Sequence, residues 1–577
     1  MKRPDFFARS ELASVLWAFR REFMIVGIFS MIANVLMLTP TLYMLQVFDR
    51  IMVSQSELTL LTVSLVMMFL LAVMAFAEWS RSRLLIRSGV RLDGMLNTRI
   101  FNASFESYLS QSGASPARAF GDLTELRQFL TGQGIFALFD TPWTPIYIGV
   151  LFLMHPVLGF VAIGFALIQG ALAWWGHRRT VEPALEALQA QGETTAYLQG
   201  KLRNAEALQS MGMVSNLRAH WHSRHQVYLA RATTSQALAL RIMAWSKFIR
   251  YSQQSLALAL GALLVIQGEL SPGAMIASNV LISRALAPID MLVGSLRAYI
   301  GARAAYVRLE TLLAAHPERD VGLMRVPPKG AVTLRDVVAS APGRDAPILK
   351  GINLEAEAGT VTVVLGPSGS GKSTLARVLM GIWPNVAGEV LLDERPLAGW
   401  DRMELGPHLG YLPQDIELFE GTIAENIARF SEVDSTKVIA AANGAGLHEM
   451  ILRFPGGYDT PIGEAGNLLS GGQRQRIGLA RAIYGNPSLV VLDEPNANLD
   501  DAGDAALLKT VRELKSAGKT VFLITHRPGA VAVADRVLFL RDGQVVAYGP
   551  TQVVLAALKA AQPAQSPSAP AGNPQPA

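Results

Sequence analysis

The segment GPSGSGKST (366–374) follows an apolar run and precedes a helical stretch. Glycines at such a strand-to-helix turn allow backbone N–H groups to approach phosphate oxygens, and the helix N-terminus favours their negative charge. Lys372 can reach the β- and γ-phosphates of a nucleotide, and Ser373 can ligate Mg²⁺. The segment therefore predicts a P-loop that binds ATP through Gly366, Pro367, Ser368, Gly369, Ser370, Gly371, Lys372, Ser373 and Thr374.

Residues able to perform hydrolysis follow at loop ends farther along the chain. The apolar run in LVVLDE ends on Asp493, which can bind the metal, and Glu494, which can activate a water. Gln414, in YLPQD, can join the Mg²⁺ shell and sense the γ-phosphate. His526 follows the run TVFLIT and can hydrogen-bond the γ-phosphate and the attacking water. We predict Glu494 and His526 as catalytic residues, and Ser373, Gln414 and Asp493 as Mg²⁺ ligands.

The segment LSGGQ (469–473) forms a second candidate phosphate site. Its serine and paired glycines open a helix, where backbone N–H groups and the helix dipole again suit a phosphate. The chain already has a P-loop for its own nucleotide. The sequence therefore raises the question of whose phosphate the second site holds.

These residues lie in a part of the chain where short β-rich runs alternate with helical ones. The runs 361–366, 489–494 and 520–525 predict buried parallel strands of an α/β nucleotide fold. The segment 538–549 predicts a terminal hairpin that turns at Asp542-Gly543. The predicted site residues all fall at loop ends of this one α/β domain.

The first half of the chain is apolar enough to span a membrane. Half of the 577 residues are hydrophobic and only 17% are charged. A bilayer core requires roughly 20 apolar residues in a helix. Charge-free runs predict spans at 23–48 and 58–77, two within 141–176 separated at His155-Pro156, a fifth at 251–268, and a sixth that starts near Pro272 and is interrupted by Arg284 and Asp290.

Charge sets the expected orientation and excludes other classes of protein. Arginine and lysine cluster after the second and fourth spans, which places both termini and the long loops 79–132 and 177–245 in the cytoplasm. These loops are predicted to be helices that continue out of the membrane, with bends at 111–122 and Gly212. The net charge of +5 reflects this bias and gives no evidence for nucleic-acid binding. The absence of cysteine excludes disulfides and thiolate metal sites.

We therefore expect five regions along the chain. They are a cytoplasmic N-terminal segment (1–22), a six-helix transmembrane domain (23–310), a linker (311–330), an ATP-binding domain (331–558) and a disordered Ala/Pro/Gln-rich tail (559–577).

The P-loop, Gln414, LSGGQ, LVVLDEP, Asp500 and His526 together resemble the motif set of ABC-transporter ATPases. In that family two nucleotide domains pack head to tail. The resemblance implies that the signature residues contact the ATP of the partner subunit and that Asp500 belongs to a D-loop at the dimer contact. The family's working unit has two domains of each kind and this chain has one of each, so the resemblance implies a homodimer. The signature residues are Leu469, Ser470, Gly471, Gly472 and Gln473.

Two further positions follow from the same resemblance. Glu464, in TPIGEAG, corresponds to a loop that contacts the cytoplasmic helices of the membrane domain in the family. The family also places an aromatic ring before the P-loop to stack on adenine, but the corresponding segment 337–349 contains no Tyr, Phe or Trp. We therefore assign no residue to adenine.

Six spans fused ahead of one nucleotide domain resemble the exporter branch of this superfamily. The segments YMLQVFDRIM (43–52), 137–159, 203–213, 271–290 and DEPNANLD (493–500) are similar to type I secretion ATPases of the alkaline-protease group. That resemblance implies an ATPase and permease of the bacterial inner membrane, surrounded by membrane lipids, which exports an unfolded protein with a C-terminal signal. It also implies two partners, a periplasmic membrane-fusion adaptor and an outer-membrane channel.

Two other functions share the ATPase motifs. An ABC exporter of lipid, drug or peptide would carry all of them. A soluble ABC ATPase of DNA repair or translation would also carry LSGGQ, but the charge-free spans argue against it. Peptide exporters with a cysteine peptidase domain, and haemolysin exporters with its inactive form, are disfavoured because only about twenty residues precede the first span.

Overall fold

The computed structural model describes residues 10–109, 116–202, 204–318, 326–341, 346–383, 386–463, 469–499 and 501–560. Near Glu318 the chain divides into two compact units, a helical one and an α/β one.

The helical unit contains long helices separated by short breaks. A π-helical turn, Val47–Ile51, and a 3₁₀ turn, Thr141–Trp143, join successive helices within apolar segments. The helices are α1 (Glu11–Ala18), α2 (Arg20–Leu36), α3 (Thr39–Gln46), α4 (Met52–Ser54), α5 (Glu57–Leu109), α6 (Pro116–Thr131), α7 (Gln133–Asp140), α8 (Thr144–Met154), α9 (Pro156–Leu202), α10 (Ala205–Ser210), α11 (Val214–Ile266) and α12 (Pro272–Ala315).

Six helical segments are long and apolar enough to cross a membrane, as the sequence predicts. The predicted break between the third and fourth spans is confirmed, because α8 ends at Met154 and α9 begins at Pro156. The helix of the sixth span, α12, begins at Pro272. Ser271 is its N-cap, and the Ser271 side chain accepts a hydrogen bond from the Ala274 N–H. Helices α5 and α11 each have 53 residues. At 1.5 Å per residue they are about 80 Å long, so they extend far beyond a ~30 Å hydrocarbon core.

Several helix ends in the structure lie at other positions than the sequence suggests. Helix α12 continues to Ala315, so the first residues of the predicted linker at 311–330 are helical. Helix α6 begins at Pro116, so most of the bend predicted at 111–122 is helix, and residues 110–115 lie outside the described residues. Gly212, with φ of 63°, does occupy a break between α10 and α11. The last described helix, Thr551–Ala560, includes residues 559 and 560 of the predicted tail, whose remainder lies outside the described residues.

The charged residues of the sixth span contact different partners. Asp290 accepts a hydrogen bond from the Ser246 hydroxyl at 2.7 Å, and Arg250 lies 3.5 Å from its other oxygen. Arg284 is exposed, and one of its nitrogens is 3.7 Å from the sulfur of Met37. The two side chains therefore do not pair with each other, as their spacing of six residues predicts.

The second unit is built on two sheets and a short two-stranded ribbon. The order in the larger sheet is β12-β11-β3-β10-β9-β6, and in the smaller one β2-β1-β4-β5. The strands are β1 (Val332–Ser340), β2 (Pro347–Ala356), β3 (Val361–Leu365), β4 (Val386–Leu392), β5 (Arg395–Pro396), β6 (Leu409–Leu412), β7 (Gly421–Thr422), β8 (Pro461–Ile462), β9 (Leu489–Asp493), β10 (Thr520–Ile524), β11 (Arg536–Arg541) and β12 (Gln544–Pro550).

The central strands are buried on both faces, which explains their continuous apolar sequences. In β10, Val521 and Leu523 pack into one core cluster, whereas Phe522 and Ile524 pack into the other. The helices that cover these faces and edges are α13 (Lys372–Leu379), α14 (Arg402–Leu405), α15 (Ile423–Ile427), α16 (Ser435–Gly444), α17 (His448–Ile451), α18 (Gly471–Ile483), α19 (Asp501–Ser516) and α20 (Thr551–Ala560).

The strand predictions are confirmed in type and direction. Strand β10 pairs in parallel with β3 on one side and with β9 on the other. The predicted hairpin is formed by β11 and β12, and its turn residues Asp542 and Gly543 have φ values of 50° and 78°. Because the carboxyl ends of parallel strands meet at one edge of a sheet, the loops after β3, β9 and β10 lie side by side.

Candidate nucleotide site

The P-loop connects the carboxyl end of β3 to the N-terminus of α13. Gly366 approaches the neighbouring chain so closely that a Cβ atom there would lie 2.1 Å from the carbonyl oxygen of Leu540. Gly369 and Gly371 have φ values of 79° and 100°, in a region that favours glycine. The glycines of the motif therefore meet specific backbone requirements of the loop.

The side chains of the loop bond within it and to the next motif. The Lys372 ammonium donates to the carbonyl oxygens of Gly366 and Pro367 at 3.0 and 2.9 Å. The Ser373 hydroxyl donates to Oε1 of Gln414 at 3.3 Å. Two of the predicted Mg²⁺ ligands, from segments 41 residues apart, thus lie in contact.

Asp493 ends β9 as a buried carboxylate. It is 1% exposed, and its Oδ1 has no hydrogen-bond partner among the described residues. Burial raises the pKa of Asp493, as does the charge of Glu494, while the nearby Ser373 hydroxyl and the charge of Lys372 lower it. A buried carboxylate oxygen without a partner, beside a serine hydroxyl and a glutamine carbonyl, is a donor set that suits Mg²⁺.

Glu494 and His526 face each other across the loops after β9 and β10. His526 Nδ1 lies 2.8 Å from Glu494 Oε2. The histidine side chain is largely exposed, whereas that of the glutamate is mostly buried. Glu494 also has a φ of 49°, which is uncommon for a residue with a side chain. A carboxylate on a conformationally restricted backbone, next to an exposed imidazole, can orient and deprotonate a water.

The signature motif forms the N-terminus of α18. Ser470 is the N-cap, and its hydroxyl accepts a hydrogen bond from the Gln473 N–H at 3.3 Å, while Oε1 of Gln473 accepts one from the Ser470 N–H at 2.8 Å. This capping box fixes the first turn. Leu469 is buried, and a Cβ on Gly472 would lie 2.9 Å from the carbonyl oxygen of Asn498. Within one chain, the signature thus packs on the loop that follows Glu494.

The structure places the sequence-predicted residues in two groups. The P-loop, Gln414, Asp493, Glu494 and His526 lie at one edge of the larger sheet. The signature residues 469–473 lie at the N-terminus of α18, where Ser470 and Gln473 bond each other. Asp500 and Glu464 lie outside the described residues, so their predicted roles stay predictions.

Four polar residues around Glu494 were not predicted from the sequence. Gln475 donates to the carbonyl oxygen of Glu494, and Asn498 donates to Gln475. Thr525 donates to the buried Asn496 at 3.2 Å. The sequence signal that could have indicated these contacts was the pair of asparagines in NANLD, polar residues that follow the predicted catalytic Glu494 within four positions.

Comparisons with known proteins match both units. The family model described as ABC transporter matches residues 349–497, and the model described as ABC transporter transmembrane region matches residues 23–288. The chain is 43% identical to the type I secretion system ATP-binding protein PrsD of Rhizobium meliloti (strain 1021), over 94% of both chains. It is 29% identical to the toxin RTX-I translocation ATP-binding protein of Actinobacillus pleuropneumoniae, over 93% of this chain and 77% of that protein.

A solved structure is also similar over nearly the whole chain. This is a bacterial Atm1-family ABC exporter with ATP bound, with a TM-score of 0.78 and 25% sequence identity. The match covers 95% of this chain and 99% of the exporter chain.

The raised pKa and the burial of Asp493 allow a test of whether this residue binds Mg²⁺. A raised carboxyl pKa means that stability is lost as pH rises from the unfolded to the folded pKa, because the folded state disfavours the ionised form. We expect Asp493→Asn to raise the melting temperature of the nucleotide-free protein at neutral pH, because the amide carries no charge to bury. The same variant should lose the further increase that Mg²⁺ adds to ATP in a thermal-shift assay.

Asp459→Asn is the matched control, because Asp459 is an exposed aspartate of the same unit. It should leave both melting temperatures unchanged. A full Mg²⁺-dependent increase in Asp493→Asn would contradict a role of Asp493 at the cation site.

Proposed function

Because the chain belongs to the ABC transporters, and within them to the type I secretion ATP-binding proteins, we propose that it is the ATPase and permease of a type I secretion system. It uses ATP to export an unfolded protein that carries a C-terminal signal. The observation that carries the proposal is the combination of six apolar spans and a complete set of ATPase motifs in one chain. A secretion protein 43% identical over 94% of both chains supports protein as the cargo.

The working unit in this proposal is a homodimer with two composite ATP sites. The P-loop of one chain holds the phosphates, and Ser470, Gly471 and Gly472 of the partner bind the γ-phosphate at the N-terminus of α18. The contacts within one chain are compatible with this division, because Gly471 and Gly472 of the signature pack on Asn498. ATP between two chains couples its binding to closure of the dimer.

In each composite site, hydrolysis is assigned to residues of the chain that contributes the P-loop. Glu494 accepts the proton of the attacking water, and His526, 2.8 Å from that carboxylate, holds the water and the γ-phosphate in place. In its observed position Lys372 bonds the loop carbonyls, and in the ATP complex it turns to the β- and γ-phosphates. Loss of the γ-phosphate removes the contact to the partner signature, so the dimer can open.

Ser373, Gln414 and Asp493 are the residues that would hold Mg²⁺ in this site. When bound, Mg²⁺ neutralises negative charge on the phosphate oxygens. The unpartnered Oδ1 of Asp493 and the contact between Ser373 and Gln414 support the assignment.

The proposal places the protein in the bacterial inner membrane, with both termini and the ATPase domain in the cytoplasm. Its partners are a periplasmic membrane-fusion adaptor, an outer-membrane channel and the secreted protein. The clustering of arginine after the second and fourth spans supports the orientation. Export of lipid, drug or peptide is the alternative function.

Mixing two inactive variants tests the composite site. Lys372→Ala removes phosphate contact from the P-loop, and Ser470→Arg places bulk and positive charge at the signature. A mixed dimer has one site with an intact P-loop and an intact signature, and another site with neither. We expect each variant alone to be inactive and the mixture to regain part of the ATPase rate. No recovery, in samples where differently tagged chains co-purify as mixed dimers, would refute sharing.

Glu494→Gln tests the catalytic assignment. The amide keeps the shape of the side chain but cannot accept the proton, so we expect ATP binding to persist while hydrolysis falls by at least about 100-fold. The measurement pairs nucleotide binding with phosphate release. The exposed Glu449, in α17 of the same unit, offers Glu449→Gln as a control that should hydrolyse ATP at the wild-type rate. A normal rate in Glu494→Gln would show that another residue is the base.

The cargo is tested by transport rather than by ATP hydrolysis. The protein in vesicles, with co-expressed adaptor and channel, should export a reporter that carries the C-terminal segment of a type I substrate, and Glu494→Gln should block export. A matched reporter without that segment should stay inside. Full transport of lipid or drug by the chain alone would instead establish the alternative.

A further inference from the structure

The backbone of Glu494 is held in an unusual conformation from both sides. Its φ of 49° lies in the left-handed region, which residues with a Cβ atom rarely adopt. Its N–H donates to the carbonyl oxygen of Ile524 at 2.9 Å, and its own carbonyl oxygen accepts from Nε2 of Gln475 at 3.1 Å. The same carbonyl also accepts from the Ala497 N–H at 3.2 Å. The direction of the Glu494 side chain therefore depends on three hydrogen bonds to its own peptide groups, of which only the one from Gln475 is donated by a side chain.

Gln475 belongs to the signature helix, α18, and both ends of its amide are used. Its side chain is buried, with the residue 1% exposed. Its Nε2 bonds Glu494, and its Oε1 accepts a hydrogen bond from Nδ2 of Asn498 at 3.3 Å. Asn498 also lies beside the first turn of α18, since a Cβ on Gly471 would lie 3.5 Å from its Cγ. The amide of Gln475 thus joins the signature helix, the peptide of Glu494 and the second asparagine of NANLD.

The opposite side of the same loop is fixed to the sheet. The Oδ1 of Asn496 accepts from the hydroxyl of Thr525, and both residues are at most 3% exposed. Thr525 directly precedes His526, so this bond aligns the loops of the two predicted catalytic residues. The loop is consequently fastened to β10 on one side and to the signature helix on the other.

We propose that Gln475 and Asn498 are positioning residues that set the backbone of Glu494 according to the position of the signature helix. We call Gln475 and Asn498 together the amide bridge. The inference rests on the proposed function, in which Glu494 acts on the ATP of its own P-loop while the signature contacts the partner's ATP. A displacement of α18 when the partner's ATP binds is then passed to Glu494 of the same chain. The amide bridge thereby links the two ATP sites of the dimer.

Three substitutions in the full-length protein separate the two hydrogen bonds. Gln475→Met removes both at similar volume and without charge. Gln475→Glu keeps the acceptor for Asn498 but loses the donor to the Glu494 carbonyl. Asn498→Ala removes only the bond to Gln475, at an exposed position where folding is little affected. Controls are Gln544→Glu on β12 and Asn443→Ala on α16, both exposed residues of the same unit.

ATPase kinetics of the dimer in nanodiscs give the decisive readout. We expect both Gln475 variants to lower kcat by about tenfold or more and to change the KM for ATP by less than about threefold, because the bridge orients Glu494 and does not touch the nucleotide. Asn498→Ala should lower kcat in the same direction. The double variant Gln475→Met/Asn498→Ala should lose no more than Gln475→Met alone, since the two residues act as one unit. The controls should keep the wild-type kcat.

Each other outcome has a definite meaning. Wild-type kcat in folded Gln475→Met, while Glu494→Gln in the same assay is inactive, would overturn the amide bridge and leave the proposed function intact. Wild-type rates in Glu494→Gln would overturn the proposed catalytic role of Glu494 and the bridge with it. If Gln475→Met does not fold, Asn498→Ala decides, and an unchanged kcat there would overturn the bridge. A loss of kcat accompanied by an equal loss in ATP binding would also refute positioning.

Discussion

The hydrogen-bond ladders that pair β10 in parallel with β3 and β9 are the interaction on which the site depends. Their register joins Val521 to Val361 on one side and to Val490 on the other. The three strands therefore end at the same level. Asp493 is the last residue of β9, and the loops that follow the strands carry the P-loop, Glu494 and His526. A shift of one residue in either ladder would turn each strand's buried side chains to the opposite face and displace these loops from one another. The apolar clusters on both faces of the sheet hold the register.

This unit contains two candidate phosphate sites that are built in different ways. The P-loop relies on close backbone approach, with Gly366 packed against the Leu540 carbonyl. The signature relies on a helix terminus whose own side chains form its capping box, so that its first turn is ordered without a ligand. Within one chain the second site contacts the loop after Glu494, at Asn498. A homodimer gives both sites a function, and the amide bridge gives the two ATP sites a physical connection.

Sequence patterns predicted most of this arrangement, for identifiable reasons. The parallel strands have nearly continuous apolar runs, and the spans have charge-free runs of bilayer length, so both signals are local and strong. Helix ends were less predictable: α12 continues to Ala315 through residues assigned to the linker, because charged and polar residues are compatible with a helix outside the bilayer. The hydrogen bonds from Gln475 to Glu494 and from Thr525 to Asn496 were missed, since they depend on tertiary contacts across 19 and 29 residues.

A cross-linking measurement tests the central claim, that each ATP lies between the P-loop of one chain and the signature of the other. The sequence contains no cysteine, so introduced cysteines are unique. Chains with Ser368→Cys and differently tagged chains with Ser470→Cys are mixed in the Glu494→Gln background, with a short bifunctional reagent. The account predicts links between the two chains that increase with ATP and are absent without nucleotide. Links within a single chain carrying both cysteines, or links between chains that are indifferent to ATP, would contradict it.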